Sequence, residues 1–454
     1  MKKLTISVAS VLALLAPLSM ASAETLEQAL VMTYNSNPSL QAQRAGVRGV
    51  DEGVSQALSG WRPSVTVVGE VGSEYNKNAL TTAPGGDTTY NPSSLALSVS
   101  QPLYSGGQTV ANTSAAEASV KAARSGLRSV EQSIFQSAVS AYMNVVRDQA
   151  VVDLNKNNVE VLARQREAAQ DRFDVGEITR TDVAQAEARL AGSKSELVRS
   201  VGNLKVSEAN YVRIVGQKPG KVEYPDFPAN FPESLEAALQ MGMNNNPDIA
   251  AAKFQEESSK YAIRATSGKL LPSLTVNGSL SHTDSQSSAT QWGEKGAVSA
   301  KLTIPLYQSG AVYSSVRQAR QLNNQRKIEI EAAVRQVREA VTRSWEQLET
   351  ARADISSTGE QVRANTIALE GVEQEAQVGS RTTLDVLDAE QELLGSQVNL
   401  VSARRNVYVA MYDVLAAVGN LGARELGLDV EYYDPEVNYK RVRNKWNGTD
   451  GGLD

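Results

Sequence analysis

The chain contains two copies of one sequence unit, and this duplication constrains the fold more than any other feature. The segment 175–187, VGEITRTDVAQAE, matches 378–390, VGSRTTLDVLDAE, at an offset of 203 residues (379 − 176). An earlier match, Asn37-Pro38 with Asn246-Pro247, has an offset of 209 (247 − 38). The difference of six residues (209 − 203) arises between two segments that alternate like strands. We therefore expect two structurally similar halves that bury their apolar faces together.

The repeat gives the predicted division of the chain. Residues 1–23 are predicted to be a secretory signal, because two lysines precede an apolar run that ends in the small-residue site Ala21-Ser22-Ala23. No later stretch approaches the roughly 18 to 20 uninterrupted apolar residues of a membrane-spanning helix. The further predicted divisions are repeat 1 at 24–216, a Pro-rich linker at 217–233, repeat 2 at 234–423 and a C-terminal tail at 424–454. Repeat 1 holds a strand pair at 63–104 and a turn at 174–181, and repeat 2 a strand pair at 272–306 and a turn at 377–384.

Proline positions limit where long helices can run. No proline occurs from Leu103 to Lys218 or from Leu306 to Asp434, and apolar residues recur there three and four apart. The predicted helices span about Leu26 to Ser59, Thr109 to Phe173 and Thr181 to Val215, and about Leu235 to Ser267, Val312 to Ala376 and Thr382 to Val418. A helix of about 65 residues is roughly 100 Å long. Each repeat is therefore predicted to pair one long helix with two shorter ones and to bury its apolar stripes on neighbouring helices.

The turn between the long and the short helix has the same local signals in both repeats. Each combines a Gly at a helix end with a Thr three residues before an Asp, which is typical of helix caps. Asp385 and Asp388 share one helix face, whereas the first turn has Asp182 and Gln185. The two carboxylates either face water or cations, or are ordinary first-turn residues favoured by the helix dipole. Both interpretations are open at the level of sequence.

Each repeat also contains two segments in which apolar and small or polar residues alternate, as in VTVVGEV at 65–71. Such alternation is typical of strands with one face in lipid and the other in a watery lumen. An open sheet edge is not tolerated in hydrocarbon and single-chain barrels start at eight strands, so four strands would need at least two chains per barrel. The alternative is a soluble four-stranded sheet packed on the helices. Either way, the predicted fold class is mostly α with a small β part.

Composition disfavours catalysis and nucleic-acid binding. The chain has no Cys, and its single His, His282, lies in a Ser/Thr/Gln-rich segment, so thiolate metal sites and His-dependent triads lack their residues. A net charge of −6 with scattered Lys and Arg gives no nucleic-acid footprint. No G-x-x-x-x-G-K-[ST] nucleotide motif occurs. We predict no enzyme, no cofactor, no resident metal and no nucleic-acid partner, and a periplasmic enzyme is the disfavoured alternative.

Three motifs together carry a family resemblance. The strand-to-helix passages are QPLYSGG at 101–107 and IPLYQSG at 304–310, and the second turn is VGSRTTLDVLDA at 378–389. Over residues 24–423 the chain resembles the TolC family of outer-membrane ducts of Gram-negative bacteria. The resemblance implies a homotrimer, with long helical hairpins forming an α-barrel in the periplasm and four strands per chain contributing to a shared 12-stranded transmembrane β-barrel. It also implies passive export of drugs or, in type I secretion, of unfolded proteins. The alternative function is a non-channel periplasmic stalk or adhesin.

The resemblance further implies roles for the two turns. Asp385 and Asp388 match carboxylates that ring the constriction, two per chain and so six in a trimer, where polyvalent cations would bind and block. The residues that match links holding the tip closed are Arg381, Thr181 and Asp182. A periplasmic adaptor, recruited together with an inner-membrane pump of RND or ABC type, would contact the turns at Gly176, Thr179, Gly379 and Thr382. Ala376 replaces a Tyr of the best-known member, so one closing contact is expected to be missing or replaced.

Overall fold

The computed structural model describes residues 24–76, 88–227, 231–284 and 292–451. Its helices are α1 Leu26–Ser36, α2 Pro38–Leu58, α3 Gln108–Asp174, α4 Arg180–Val215, α5 Leu235–Asn245, α6 Pro247–Ser267, α7 Ala311–Gln377, α8 Thr383–Ala417 and α9 Pro435–Val442. Its strands are β1 Ser64–Val71, β2 Glu74–Asn76, β3 Thr88–Tyr90, β4 Ser93–Ser105, β5 Ser273–Asp284 and β6 Trp292–Thr303. The predicted class, mostly helical with a small β part, is confirmed. The predicted signal segment 1–23 and residues 228–230 of the predicted linker lie outside the described residues.

The single opening helix predicted for each repeat is wrong, because each is two helices. The first pair breaks at Asn37, whose ψ is 120° and whose side chain accepts hydrogen bonds from the backbone N–H groups of Ser39 and Leu40. The second pair breaks in the same way at Asn246, with ψ 125° and a bond from the backbone N–H of Asp248. A proline follows each Asn. It disfavours helical backbone in the preceding residue and suits the first position of a new helix, which Asn caps well.

The two long helices match their predicted spans closely. α3 and α7 each contain 67 residues, and α4 and α8 contain 36 and 35. α4 ends at Gly216, which adopts the left-handed conformation with φ 95°. The local signals of helix termination therefore define these elements well, because a helix interior without Pro ends where Gly makes a left-handed cap available.

The strands form an antiparallel sheet in the order β1-β4-β5-β6. Its register pairs Val67 with Leu97, Leu97 with Leu280 and Leu280 with Gly296. Val298 lies two residues after Gly296 on the same face, so apolar side chains from all four strands share that face. That face is not covered, since Val67 is 63% exposed and Val298 83%. A sheet packed on helices through its apolar face, the soluble alternative, does not fit these exposures. A short β2–β3 hairpin extends beyond β1 and β4.

A close backbone approach connects the first strand-to-helix passage with the passage from α6 into β5. Gly106 has φ 63°, and a Cβ atom there would lie 2.1 Å from the carbonyl oxygen of Gly268. Any larger residue would clash, so the glycine of the first motif is required by packing as well as by conformation. The matching position in repeat 2 (106 + 203) is Ser309, which also adopts positive φ, at 53°. The two repeats therefore keep the same backbone course with different residues.

The described residues form two compact units. One consists of the described parts of Met1–Asn35, Ser137–Ala229 and Ala351–Val409. In its core the Tyr142 hydroxyl shares its one hydrogen between the backbone carbonyl oxygens of Glu24 and Glu223, which lie 2.7 and 2.8 Å away. The Glu24 carboxylate accepts from the Tyr211 hydroxyl and, at 2.6 Å, from the backbone N–H of Gly220. The first residue of the predicted mature chain is thus held by buried hydrogen bonds.

The other unit consists of the described parts of Ser36–Gln136, Asn230–Thr350 and Ala410–Asp454 and contains the four-stranded sheet. The C-terminal tail packs along α2 through helix α9. Asn438 Nδ2 donates to the buried Asp51 carboxylate at 2.7 Å. Arg62 lies 5.2 Å from the Trp446 ring centroid and donates to the Lys445 carbonyl oxygen at 2.8 Å. The aromatic residues of the tail were visible in the sequence, but helix α9 and its partners were not predicted.

Candidate functional site

The two turns have the same hydrogen-bonded geometry. In the first, the N–H of Gly176 donates to the Phe173 carbonyl oxygen and the N–H of Glu177 to that of Arg172, both at 2.9 Å. In the second, the N–H of Gly379 donates to the Ala376 carbonyl oxygen at 3.1 Å. The φ angles of the two glycines are 84° and 79°. This is the Schellman helix end, in which a left-handed residue satisfies the last helical carbonyl groups.

A capping box starts the helix after each turn. The Thr382 hydroxyl and backbone N–H donate to Asp385 Oδ2 at 2.8 and 2.9 Å, and the Asp385 N–H donates back to the hydroxyl at 3.2 Å. Thr179 and Asp182 make the same three bonds. Hydrogen bonds from the threonines hold the pKa of both Asp182 and Asp385 below the usual range. Both carboxylates are therefore ionised at neutral pH, and one oxygen of Asp385 is already used by its own helix.

The second carboxylate of the α8 face is bound differently. Asp388 Oδ1 accepts a hydrogen bond from Arg189 Nη2, which forms an ion pair between α8 and α4. The Asp388 side chain nevertheless remains exposed to solvent. Of the two carboxylates singled out in the sequence, Asp385 caps a helix and Asp388 holds a charged partner, and both keep an oxygen atom without these bonds.

Two of the residues expected to close the tip, Arg381 and Asp182, make hydrogen bonds within their own turns. Arg381 Nε donates to Glu375 Oε2 at 2.8 Å, across the Schellman end of α7. Asp182 is bound in its capping box, and Thr181 beside it is exposed. Ala376, where the resemblance implies a missing contact, contributes the carbonyl oxygen bonded by Gly379. The single chain therefore presents these side chains at the turns without pairing Arg381 with Thr181 or Asp182.

Apolar packing beneath the turns brings three helices together. Leu162 and Ala169 of α3, Val183 and Ala186 of α4, and Leu387 of α8 form one buried cluster. Ile178 and Leu190 pack against it. Apolar residues three and four apart predicted a helix from about Thr181, and this cluster shows which of its residues are buried.

Sequence reasoning missed one unusual group next to this cluster. Glu390, one helical turn after Leu387, is only 6% exposed. Its Oε1 accepts a hydrogen bond from Gln165 Nε2 at 3.3 Å, and its Oε2 has no hydrogen-bond partner among the described residues. Burial raises the pKa of Glu390 to about 7, with a smaller contribution from the charge of Glu373. The only signal in the sequence was the i, i+3 spacing from Leu387, which places both residues on one face.

The described residues offer neither a grouped set of metal ligands nor a helix suited to cross a membrane. Across residues 24–76, 88–227, 231–284 and 292–451, no three His, Cys, Asp or Glu side chains are grouped so that they would hold a metal ion. Within those ranges, no helix combines the length and the apolar character needed to cross a membrane.

Comparison with known proteins decides the family. The family model described as outer membrane efflux protein matches residues 29–217 and 238–420, which cover most of both repeats. The chain belongs to this family. The two matched stretches follow the two copies of the repeat, so the duplication is a property of the family fold. Family membership confirms the predicted efflux function and outer-membrane location and favours a channel over the stalk or adhesin alternative. The family is named for transport rather than for a reaction.

Individual relatives agree with this assignment. The outer membrane efflux protein BepC of Brucella suis biovar 1 is 37% identical over 429 residues, covering 94% of this chain and 92% of the relative. The outer membrane protein TolC of Escherichia coli K12 is 25% identical, covering 90% and 85%. The crystal structure of the Campylobacter jejuni CmeC outer membrane channel matches with a TM-score of 0.76 at 16% identity, covering 92% of this chain and 89% of that chain. At that identity the structural match shows the fold alone.

Proposed function

We propose that three copies of this efflux protein close one duct, with a twelve-stranded β-barrel in the outer membrane. The observation that carries this proposal is the four-stranded sheet, whose apolar face is exposed and whose end strands β1 and β6 each have an edge unpaired within the sheet. Hydrocarbon does not tolerate such edges, and pairing β1 of one chain with β6 of the next removes them. Four strands from each of three chains give twelve, the number that the resemblance to the TolC family implies.

The helices offer a second reason for assembly. Val198 and Val206 of α4 and Ile328 of α7 are large apolar side chains that remain exposed in the single chain. Helices with apolar residues outside their own core are stabilised by packing on neighbouring helices. In the proposed trimer, helices from adjacent chains cover these side chains and form the periplasmic α-barrel.

The second turn supplies the proposed constriction. Asp385 is ionised, and Asp388 follows one turn later on the same helix face. Three chains would bring six carboxylates together, where like charges repel and polyvalent cations are attracted. In the closed state we propose that Arg381 of one chain reaches Thr181 and Asp182 of another, in exchange for part of its pairing with Glu375. Opening breaks these links and separates the carboxylates.

The tips of the turns are the proposed contact with a periplasmic adaptor. Val175 and Val378 occupy equivalent positions (175 + 203) and are 72% and 80% exposed, so each turn presents an apolar side chain to a partner. The backbone positions around them that the adaptor would contact are Gly176, Thr179, Gly379 and Thr382. An inner-membrane pump of RND or ABC type would supply the energy and choose the cargo, either drugs or secreted unfolded proteins. The duct itself conducts passively.

Single-channel conductance in a planar bilayer tests this function. Native protein is expected to form small, cation-selective channels that Mg²⁺ blocks from the periplasmic side. The double variant Asp385→Asn, Asp388→Asn is expected to conduct without block, because its constriction carries no carboxylates. The matched control is Asp171→Asn, Asp174→Asn, which removes two carboxylates with the same spacing from the end of α3 and should retain the block. Folded trimers without conductance would refute the duct, and unchanged block in the first variant would refute the constriction.

A further inference from the structure

Asp388 carries its own counter-ion. Arg189 lies on α4 and bonds Asp388 on α8, so the pair joins residues 199 positions apart in the chain. The repeat gives this pair no twin. Its symmetric positions are 392 (189 + 203) and 185 (388 − 203), which hold Glu392 and Gln185 and so cannot form an ion pair. The repeat symmetry therefore does not generate a second copy of this ion pair.

Two further polar contacts join α3 to the helices that carry this pair. Arg166 of α3 pairs with Glu187 of α4, at 3.3 Å between Nη2 and Oε1. Gln165 of α3 donates to Glu390 of α8, also at 3.3 Å. Glu187 and Glu390 lie two positions from Arg189 and Asp388, so these contacts connect α4 and α8 to α3 near the ion pair in the chain.

Both partners remain accessible to ions. The Arg189 side chain is 39% exposed and that of Asp388 56% exposed. Exposed ion pairs contribute little to stability, so the main effect of Arg189 is on the local charge rather than on the fold. With Arg189, the two carboxylates and one guanidinium of each chain sum to −1, or −3 in a trimer. Without it, the sums are −2 and −6.

We propose that Arg189 is the resident counter-ion of the acidic constriction and sets its affinity for blocking cations. The proposal rests on the proposed trimeric duct, in which Asp388 faces the constriction. A cation that binds Asp388 competes with the guanidinium for the charge of the same carboxylate, so the internal positive charge weakens block. The same pair connects α8 to α4. Arg189 is a specificity-determining residue that acts through Asp388.

The test is the Mg²⁺ concentration that halves the conductance of single channels. Arg189→Gln is expected to lower this concentration by about tenfold or more, because a divalent cation then meets three more unpaired negative charges in the constriction. Arg189→Lys keeps the charge and is expected to stay near the native value. The matched control is Arg166→Gln, which removes an arginine that is paired with Glu187 rather than with Asp388. Its half-blocking Mg²⁺ concentration should equal that of the native protein. In an Asp388→Asn background, Arg189→Gln should not lower the half-blocking Mg²⁺ concentration further.

The outcomes separate this inference from the function on which it rests. If native channels are blocked and Asp385→Asn, Asp388→Asn removes the block, but Arg189→Gln leaves the half-blocking concentration unchanged, the counter-ion role is wrong and the constriction stands. If native channels are not blocked at all, the constriction itself is wrong. Heat-stable trimers in detergent establish that each variant is folded. Arg189→Met is a second neutral variant of similar length, should Arg189→Gln fail to assemble.

Discussion

The buried carboxyl of Glu390 should make the packing of α8 at the helical tip depend on pH. Its pKa is about 7 in the packed state, against 4.5 for an ordinary glutamate. Below about pH 4.5 the group is neutral whether α8 is packed or opened. Between about 4.5 and 7 only the opened state ionises, so the packed state loses stability as pH rises. The full difference of 2.5 pKa units corresponds to about 3 kcal/mol, reached just above pH 7.

Hydrogen exchange followed by mass spectrometry measures this effect directly. After correction for the intrinsic pH dependence of exchange, the opening constant measured for peptides from the first turns of α8 should be about a hundredfold larger at pH 8 than at pH 5. In Glu390→Gln the opening constant should be nearly independent of pH, because the amide cannot ionise and still accepts from Gln165. Glu392→Gln is the matched control, since it changes an exposed carboxylate on the same helix. Equal pH dependence in native protein and Glu390→Gln would refute the reasoning.

Four further substitutions test local features of the fold. Thr382→Ala removes the capping box and should destabilise the start of α8 by about 1 kcal/mol, seen as faster proteolysis at the turn. Gly379→Ala places a Cβ on a residue in the left-handed region and should destabilise the fold by about 1 kcal/mol. Gly371 lies in a helix interior, and no atom is within 4 Å of an added Cβ there. Gly371→Ala should therefore stabilise the fold by about the same amount, measured by thermal unfolding. Tyr211→Phe removes the buried hydroxyl that donates to the Glu24 carboxylate and should lower stability by about 1 to 3 kcal/mol; unchanged melting would contradict that bond.

Features encoded by neighbouring residues could be predicted from the sequence. The turns follow from a glycine at a helix end and a Thr-Asp pair at the next start, and the structure forms the bonds that these residues favour. The break at Asn37 is encoded just as locally, because Asn caps the new helix and the following Pro disfavours helical backbone at Asn37. The strand alternation located the sheet for the same local reason.

Features that depend on distant residues could not be predicted. The spacing of Asp385 and Asp388 drew attention to α8, but the partner of Asp388 comes from α4 and only packing brings Arg189 to it. The burial of Glu390 likewise depends on α3, whose Gln165 is 225 residues earlier. Polarity alone would place such a residue in solvent. The roles proposed for Arg381, Thr181 and Asp182 involve contacts between chains, and they remain predictions.

The closure of one barrel by three chains is tested most directly by disulfide cross-linking in the outer membrane of intact cells. The native chain has no Cys, so introduced pairs are unambiguous. Val67→Cys on β1 would be combined in turn with Cys at Val298, Ala300 or Leu302 on β6, positions that share the apolar face of the sheet. The account predicts that one of these pairings gives a covalent trimer as the largest species. Monomers alone from every pairing, or a ladder that extends beyond three chains, would contradict it.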